Sequence, residues 1–145
     1  MTLLVAQWVV GIFVLISLIH IYWALGGKAG SDAVVPQVPG TSGEELEPAF
    51  KPSAFGTLLV AAGLAVIALL VCLRVGLFAS VVSHWTLQWV ISAIALLMFA
   101  RAIGDSELVG FFKGVGDSKF ARLDTWVFSP LCVVLGFGLL VVAWG

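Results

Sequence analysis

The side chains that could perform chemistry in this sequence collect at two places, the end of a first apolar run and the region between a third and a fourth. They are His20, Tyr22, Trp23, Lys28, Arg101, Asp105, Lys113, Arg122, Asp124 and Trp126. Ionisable groups at the edge of long apolar runs are unfavourable to bury, which makes them functional candidates by default. If the runs are antiparallel helices, both places lie at one end of the fold, and the sequence predicts a polar pocket there.

Three of these residues carry a positive charge that suits an anionic ligand. Guanidinium and ammonium groups donate charge-assisted hydrogen bonds to oxyanions, so we expect Arg101, Lys113 and Arg122 to meet the headgroup of a small amphiphile. Histidine is the side chain most often used for proton transfer near neutral pH, so His20 is the candidate for that role if chemistry takes place. The apolar part of the ligand would contact the aromatic candidates Tyr22, Trp23 and Trp126.

Two acidic residues complete the predicted site. Asp105 follows Arg101 by four residues, a spacing that predicts an ion pair on one helix face. Asp124 directly precedes the fourth apolar run, where the N-cap of a helix is expected. A structural interpretation is equally open, because both carboxylates could cap helices, Arg101 could extend to the interface, and His20 could donate to a backbone carbonyl.

The composition is typical of a membrane protein. Of the 145 residues, 61% are hydrophobic and 10% are charged, with a mean hydropathy of +1.16, whereas roughly a quarter of a soluble domain is charged. Four apolar runs cover approximately residues 3–25, 54–78, 85–104 and 125–144, each close to the 20 or so residues that cross a bilayer as a helix. The sequence therefore predicts an all-α, four-helix transmembrane bundle, up-and-down and antiparallel, forming a single domain over residues 1–145.

Several other classes of function find little support. The formal net charge of −1 argues against a nucleic-acid partner. His20 and His84 lie near opposite ends of the predicted bundle, about 24 Å apart for roughly 16 residues of helical rise, so they cannot ligate one haem together. Cys72 and Cys132 lack metal-binding spacing and are expected to act as small hydrophobic residues. We therefore predict no cofactor and no metal site.

The first connection, residues 26–53, has the composition of an irregular loop. It contains Pro36, Pro39, Pro48 and Pro52 and the acidic group Glu44, Glu45 and Glu47. No strand is predicted, and little folding energy is expected to depend on residues 31–42. In the fourth helix, Pro130 is expected to produce a kink near the polar end.

The distribution of basic residues predicts the orientation in the membrane. Six of the seven lysines and arginines fall at the first and third connections, and only Arg74 lies toward the other side. Under the positive-inside rule, connections 26–53 and 105–123 face the cytoplasm and both termini lie outside it. The predicted location is the cell (inner) membrane.

Four stretches resemble a family of small bacterial membrane proteins catalogued as a domain of unknown function. They are HIYWALGG (20–27), ARAIGD (100–105), GFFK (110–113) and FARLDTWVFSPLC (120–132). The resemblance covers essentially the whole chain except the proline-rich connection. It implies a four-span integral membrane protein and brings no reaction, cofactor or site.

The leading hypothesis is therefore a pocket at the cytoplasmic end that binds a small amphiphile or an anionic headgroup. The alternative is a non-enzymatic accessory or transport subunit whose polar end docks a protein partner, and the sequence does not decide whether the protein is an enzyme. Homo-oligomerisation is also open, because small residues on the second helix suit close packing within the bundle or between copies. These residues are Gly56, Ala61, Gly63, Ala65 and Ala68.

Overall fold

The computed structural model describes residues 1–41, 43, 45–79, 82–105, 107–114 and 116–145. The first three long helices are α1 (Thr2–Ala24), α2 (Ala54–Arg74) and α3 (His84–Ile103). The fourth consists of α4 (Lys119–Leu123), a π-helical turn (Asp124–Phe128) and α5 (Ser129–Trp144) in direct succession. The predicted all-α bundle is confirmed.

Serine side chains define where three of the helices begin. Ser53 Oγ accepts the Gly56 N–H at the start of α2, over 3.0 Å. Ser83 and Ser118 cap α3 and α4 in the same way. Such a cap satisfies one of the N–H groups that have no partner within the helix.

The fourth helix begins earlier than the sequence indicates. Because Ser118 is the N-cap, the helix starts at Lys119, and Asp124 lies inside it rather than at its beginning. The prediction that Asp124 is an N-cap is therefore wrong. Pro130, the expected cause of a kink, stands at the start of α5, and the irregularity is the π-helical turn directly before it.

The helices pack as two pairs. Helix α1 lies mainly against α2, and α3 lies mainly against α5, while contacts between α1 and α5 join the pairs. Phe13, Ile91 and Leu139 are fully buried between them. Gly145 lies beside Thr2, so both chain ends meet at one end of an antiparallel bundle.

The outer surface of the bundle is apolar. Leu15, Leu96 and Phe137 are each more than half exposed on three different helices. In the described part of the chain, four helices of 23, 21, 20 and 26 residues are apolar enough to cross a membrane, and about 20 residues suffice to span the hydrocarbon core. The architecture is that of a multi-pass membrane protein, with lipid as the natural solvent for this surface.

The first connection is more ordered than its composition predicts. Strands β1 (Gln37–Pro39) and β2 (Leu46–Pro48) form a short antiparallel pair in which Val38 is opposite Glu47. The expectation of no strand is therefore wrong here. Ser42 and Glu44, which lie between the two strands in the sequence, are outside the described residues, as are Ser80 and Val81 of the second connection.

The beginning of this connection packs on the polar end of the bundle. Residues Ser31–Ala33 form a 3₁₀ turn that contacts α4, and Ala33 is buried. Lys119 Nζ donates to Asp32 Oδ2 over 2.9 Å, and this hydrogen bond lowers the pKa of the Asp32 carboxyl below its ordinary value. The expectation that little folding energy depends on residues 31–42 stays a prediction, although residues 31–33 pack on α4.

Candidate functional site

A buried charge network centred on Asp124 joins α3, the third connection and the π-helical turn. Asp124 is fully buried, and its Oδ1 accepts a hydrogen bond from Arg101 Nη2 over 2.7 Å. Its Oδ2 accepts from Lys113 Nζ over 3.0 Å and from the Gly110 N–H over 2.6 Å. Both carboxylate oxygens therefore have charged or backbone donors, which is the condition under which an ionised carboxylate tolerates burial.

Lys113 is held within this network and does not project into a pocket. Its side chain is only 4% exposed, and besides Asp124 its Nζ donates to Gly110 O over 2.8 Å and to Thr125 Oγ1 over 2.6 Å. An ammonium group has three N–H donors, and all three are engaged. The expectation that Lys113 meets the anionic group of a ligand is therefore not supported by its geometry.

Two glycines allow the third connection to reach Asp124. Gly104 and Gly110 have φ angles of +84° and +92°, which L side chains rarely adopt. They also lie against each other, and a Cβ on Gly104 would overlap the Val109 carbonyl. This close crossing after the end of α3 directs the Gly110 N–H at the Asp124 carboxylate.

Asp105 organises the turn between these glycines and does not pair with Arg101. Its Oδ1 accepts the backbone N–H groups of Glu107, Leu108 and Val109 over 3.0, 2.8 and 3.1 Å. Those hydrogen bonds lower the pKa of the Asp105 carboxyl below its ordinary value of 3.8. The predicted Arg101–Asp105 ion pair is wrong, because α3 ends at Ile103 and Asp105 no longer follows the helical spacing.

A cleft of about 1330 Å³ lies at the same end, between the C-terminal end of α1, the N-terminal end of α2 and the first connection. Its walls are partly apolar, from Trp23, Val60 and Phe50, and partly polar, from His20 and Lys51. The sequence predicted His20 and Trp23 for a site at this end. It missed Lys51, Phe50 and Val60, which carry no pattern that distinguishes them from loop and span residues.

His20 lies within this cleft in a defined tautomer. Its Nδ1 is 2.8 Å from the Ile16 carbonyl oxygen, which can only accept, so Nδ1 carries the proton and donates. In the neutral ring, Nε2 is then an acceptor. The Trp23 ring packs edge-on to the imidazole at 5.3 Å, and its Nε1 donates to Ala29 O over 2.8 Å, which fixes the aromatic wall.

The remaining predicted residues lie outside both the cleft and the network. Tyr22 is about half exposed, covers Gly27 with its ring, and accepts the Ala29 N–H at its hydroxyl over 3.3 Å. Arg122 is exposed, and Trp126 is 80% exposed. The predicted single pocket is thus divided into a cleft with His20 and Trp23, a buried network with Arg101, Lys113 and Asp124, and outward-facing residues.

The geometry offers no cluster of metal ligands in the part of the chain that the structure describes. Within those ranges, no three His, Cys, Asp or Glu side chains come together in a way that could hold a metal ion. Cys72 and Cys132 are both free thiols, partly buried in α2 and α5.

These features define a class: a multi-pass membrane protein built as an antiparallel helical bundle, with a cleft and a buried charge network at one end. The family model described as "Protein of unknown function (DUF3995)" matches residues 13–139, and the chain belongs to this family. The resemblance seen in the sequence is thereby confirmed. No curated protein and no solved structure matches the chain.

Proposed function

We propose that this protein binds a small amphiphile in the cleft beneath the first connection. The observation that carries the proposal is the lining of the cleft, where the apolar side chains of Trp23, Phe50 and Val60 adjoin polar groups. Ligand sites are typically concave, mostly apolar and roughly 300–1,000 Å³ in volume, with a few placed polar groups. The cleft has this kind of lining, and its volume of about 1330 Å³ exceeds the typical range and leaves room for a molecule with an acyl tail.

The charges around the cleft favour an anionic or zwitterionic headgroup. Lys51 lines the cleft, and no carboxylate among the described residues pairs with it. Asp32 also lines the cleft, but Lys119 already neutralises it. Glu47 also lines the cleft and offers a carboxylate to the positive group of a zwitterion, so Lys51 and Glu47 together suit a headgroup with both charges.

His20 supplies a hydrogen-bond acceptor to the bound molecule. Because Nδ1 donates to Ile16 O, Nε2 is the atom left for a ligand hydroxyl or for a proton. If the bound molecule reacts, His20 is the residue that would accept that proton. Binding is the proposed function, and proton transfer at His20 is its chemical extension.

Native mass spectrometry of the purified protein tests this proposal. Val60→Trp places a bulky ring on the cleft wall, whereas Val66→Trp adds the same ring to an exposed position of α2 outside the cleft. We expect a co-purifying amphiphile on the wild type and on Val66→Trp, and little on Val60→Trp. Equal retention by both variants would contradict the proposal. Retention of a second polypeptide in place of an amphiphile would favour the docking alternative.

We further propose that this end of the bundle faces the cytoplasm. Lys28, Lys51, Lys113 and Lys119 belong to the first and third connections or border them, together with Arg101 and Arg122. An excess of lysine and arginine is typical of cytoplasmic connections. In this orientation the cleft opens at the cytoplasmic leaflet of the cell membrane, and both termini lie on the other side.

A further inference from the structure

The Asp124 network carries more positive than negative charge. Arg101 and Lys113 contribute two cations, and Asp124 contributes one carboxylate. Among the described residues, no second carboxylate forms an ion pair with either cation. An uncompensated charge in a partly buried site is unfavourable, so the network is electrostatically suited to one further anion.

The geometry of Arg101 indicates where that anion would bind. Its Nη2 is engaged by Asp124, but its Nη1 is inaccessible to solvent and has no hydrogen-bond partner among the described residues. The side chain as a whole is still 33% exposed, so Nη1 becomes reachable from the surface when the side chain turns. Lys113 offers no such opportunity, since its three donors are occupied.

A second buried polar atom without a partner, Ser129 Oγ, belongs to a residue that follows Asp124 by five positions in the sequence. Ser129 is fully buried, and its backbone N–H donates to the Asp124 carbonyl across the π-helical turn. Its Oγ has no hydrogen-bond partner among the described residues. The region around Asp124 thus contains two partnerless polar atoms, in a structure where most buried polar groups are expected to be paired.

Arg74 provides a contrasting case at the opposite end of the bundle. Its Nη2 donates to the Ala143 carbonyl over 2.7 Å, and its Nη1 lies 3.3 Å from His84 Nδ1. Both of its terminal nitrogens therefore have partners, and only its Nε is buried without a hydrogen-bond partner among the described residues. The carbonyl it meets belongs to the C-terminal end of α5, which carries partial negative charge.

We propose that Arg101 Nη1 binds a phosphate oxygen, as the anion that completes the Asp124 network. Arginine is suited to phosphate because its planar guanidinium remains charged and presents fixed donors. Arg101 lies in the last turn of α3, and the end of a membrane-spanning helix is where lipid headgroups are expected. The phosphate can come from an anionic lipid or from solution. The site does not depend on the cleft or on the proposed amphiphile.

Arg101→Lys tests this assignment. Lysine keeps the positive charge that Asp124 needs but lacks Nη1, and Arg74→Lys is the matched control at the other end. We would measure the rise in Tm of lipid-free detergent samples on titration with phosphatidylglycerol, phosphatidylcholine or inorganic phosphate. We expect the phosphatidylglycerol concentration for half-maximal stabilisation to rise about tenfold in Arg101→Lys, which equals about 1.4 kcal/mol of binding energy, and to be unchanged in Arg74→Lys. Stabilisation by inorganic phosphate as well would indicate a soluble source.

A measurement on the wild-type protein keeps the proposal testable if Arg101→Lys does not fold. Phenylglyoxal modifies accessible arginines, and its rate at Arg101 and at the exposed Arg122 can be followed by peptide mass mapping. We expect phosphatidylglycerol or phosphate to slow modification of Arg101 and to leave Arg122 unchanged. The proposal is overturned if neither probe protects Arg101 beyond chloride at equal ionic strength, or if Arg101→Lys and Arg74→Lys weaken stabilisation equally.

Discussion

Replacing Asp124 by asparagine is expected to destabilise the fold severely, although the two side chains have nearly the same shape. The substitution removes the only negative charge of the network while Lys113 stays buried at 4% exposure and Arg101 stays partly buried. Within the described residues, no other carboxylate pairs with these cations. Asp124→Asn would therefore leave two like charges beside each other in a site that excludes most water.

The size of this effect follows from the burial of the partners. Removing one member of a buried ion pair typically costs about 3–5 kcal/mol, because the remaining charge stays desolvated. An exposed pair is worth only about 0–1 kcal/mol. The Asp124–Lys113 pair is almost fully buried, whereas Arg101 is a third exposed and its share is reduced by solvent screening. We therefore expect a loss of about 3 kcal/mol for Asp124→Asn, near the lower bound for buried pairs.

The assay is reversible unfolding in mixed detergent micelles, followed by tryptophan fluorescence. Arg101→Ala in the Asp124→Asn background should add little, because its partner is already lost, whereas Arg101→Ala and Asp105→Ala should be additive. A loss below about 1 kcal/mol for Asp124→Asn, the value for an exposed pair, would refute the buried network. Strong energetic coupling between Arg101 and Asp105 would refute the assignment of Asp124, and not Asp105, as the partner of Arg101.

Three further predictions test the polar end of the bundle. Gly104→Ala should lower Tm clearly, because the φ of +84° and the Val109 carbonyl exclude a Cβ at this position. The control Gly63→Ala should leave Tm unchanged, because nothing lies within 4 Å of a Cβ there. Equal effects of the two substitutions would contradict the close crossing of Gly104 and Gly110. Because folding lowers the pKa of Asp105, the ionised carboxylate stabilises the fold above the unfolded pKa of 3.8, and this stabilisation is lost as the pH falls through the folded pKa. The Tm values of wild type and Asp105→Asn should therefore converge in acid. A Tm difference that does not change with pH would contradict the role of the Asp105 carboxylate. An impermeant thiol reagent on intact cells should label a cysteine at Gly145 and spare one at the exposed Asp117; the reverse pattern would invert the orientation and place the cleft outside.

The helices themselves were predictable because lipid imposes a simple rule. Each span must satisfy its own backbone and expose apolar side chains, so long apolar runs indicate helices directly. The exception was the beginning of the fourth helix. Lys119–Leu123 is short and carries two charges, and the signal for its start is the Ser118 cap rather than hydropathy.

The membership of the site was predictable only in part. Arg101, Lys113 and Asp124 were identified as candidates, but their mutual contacts depend on a turn between Gly104 and Gly110 that brings distant residues together. A local rule of four-residue spacing favoured Asp105 instead. That rule fails here because α3 ends at Ile103, before Asp105, and Arg101 instead donates to Asp124 from the fourth helix.

The cleft and the hairpin above it were not predictable from local sequence. Strands of three residues that contain proline give no alternation of apolar and polar residues, and β1 and β2 are held by their pairing. The cleft combines Trp23 near the end of α1 with Phe50 of the first connection and Val60 of α2, and α1 packs against α2. A binding surface assembled in this way has no signature in any single stretch of the chain.

The most direct test of the amphiphile-binding proposal is an experimental density map of the protein purified in mild detergent, without added lipid. The account predicts elongated density beneath the first connection, with its tail along Val60 and Trp23 and its polar end near Lys51 and His20 Nε2. A map in which the first connection fills the cleft with its own side chains, or in which the cleft holds only disordered solvent, would contradict it.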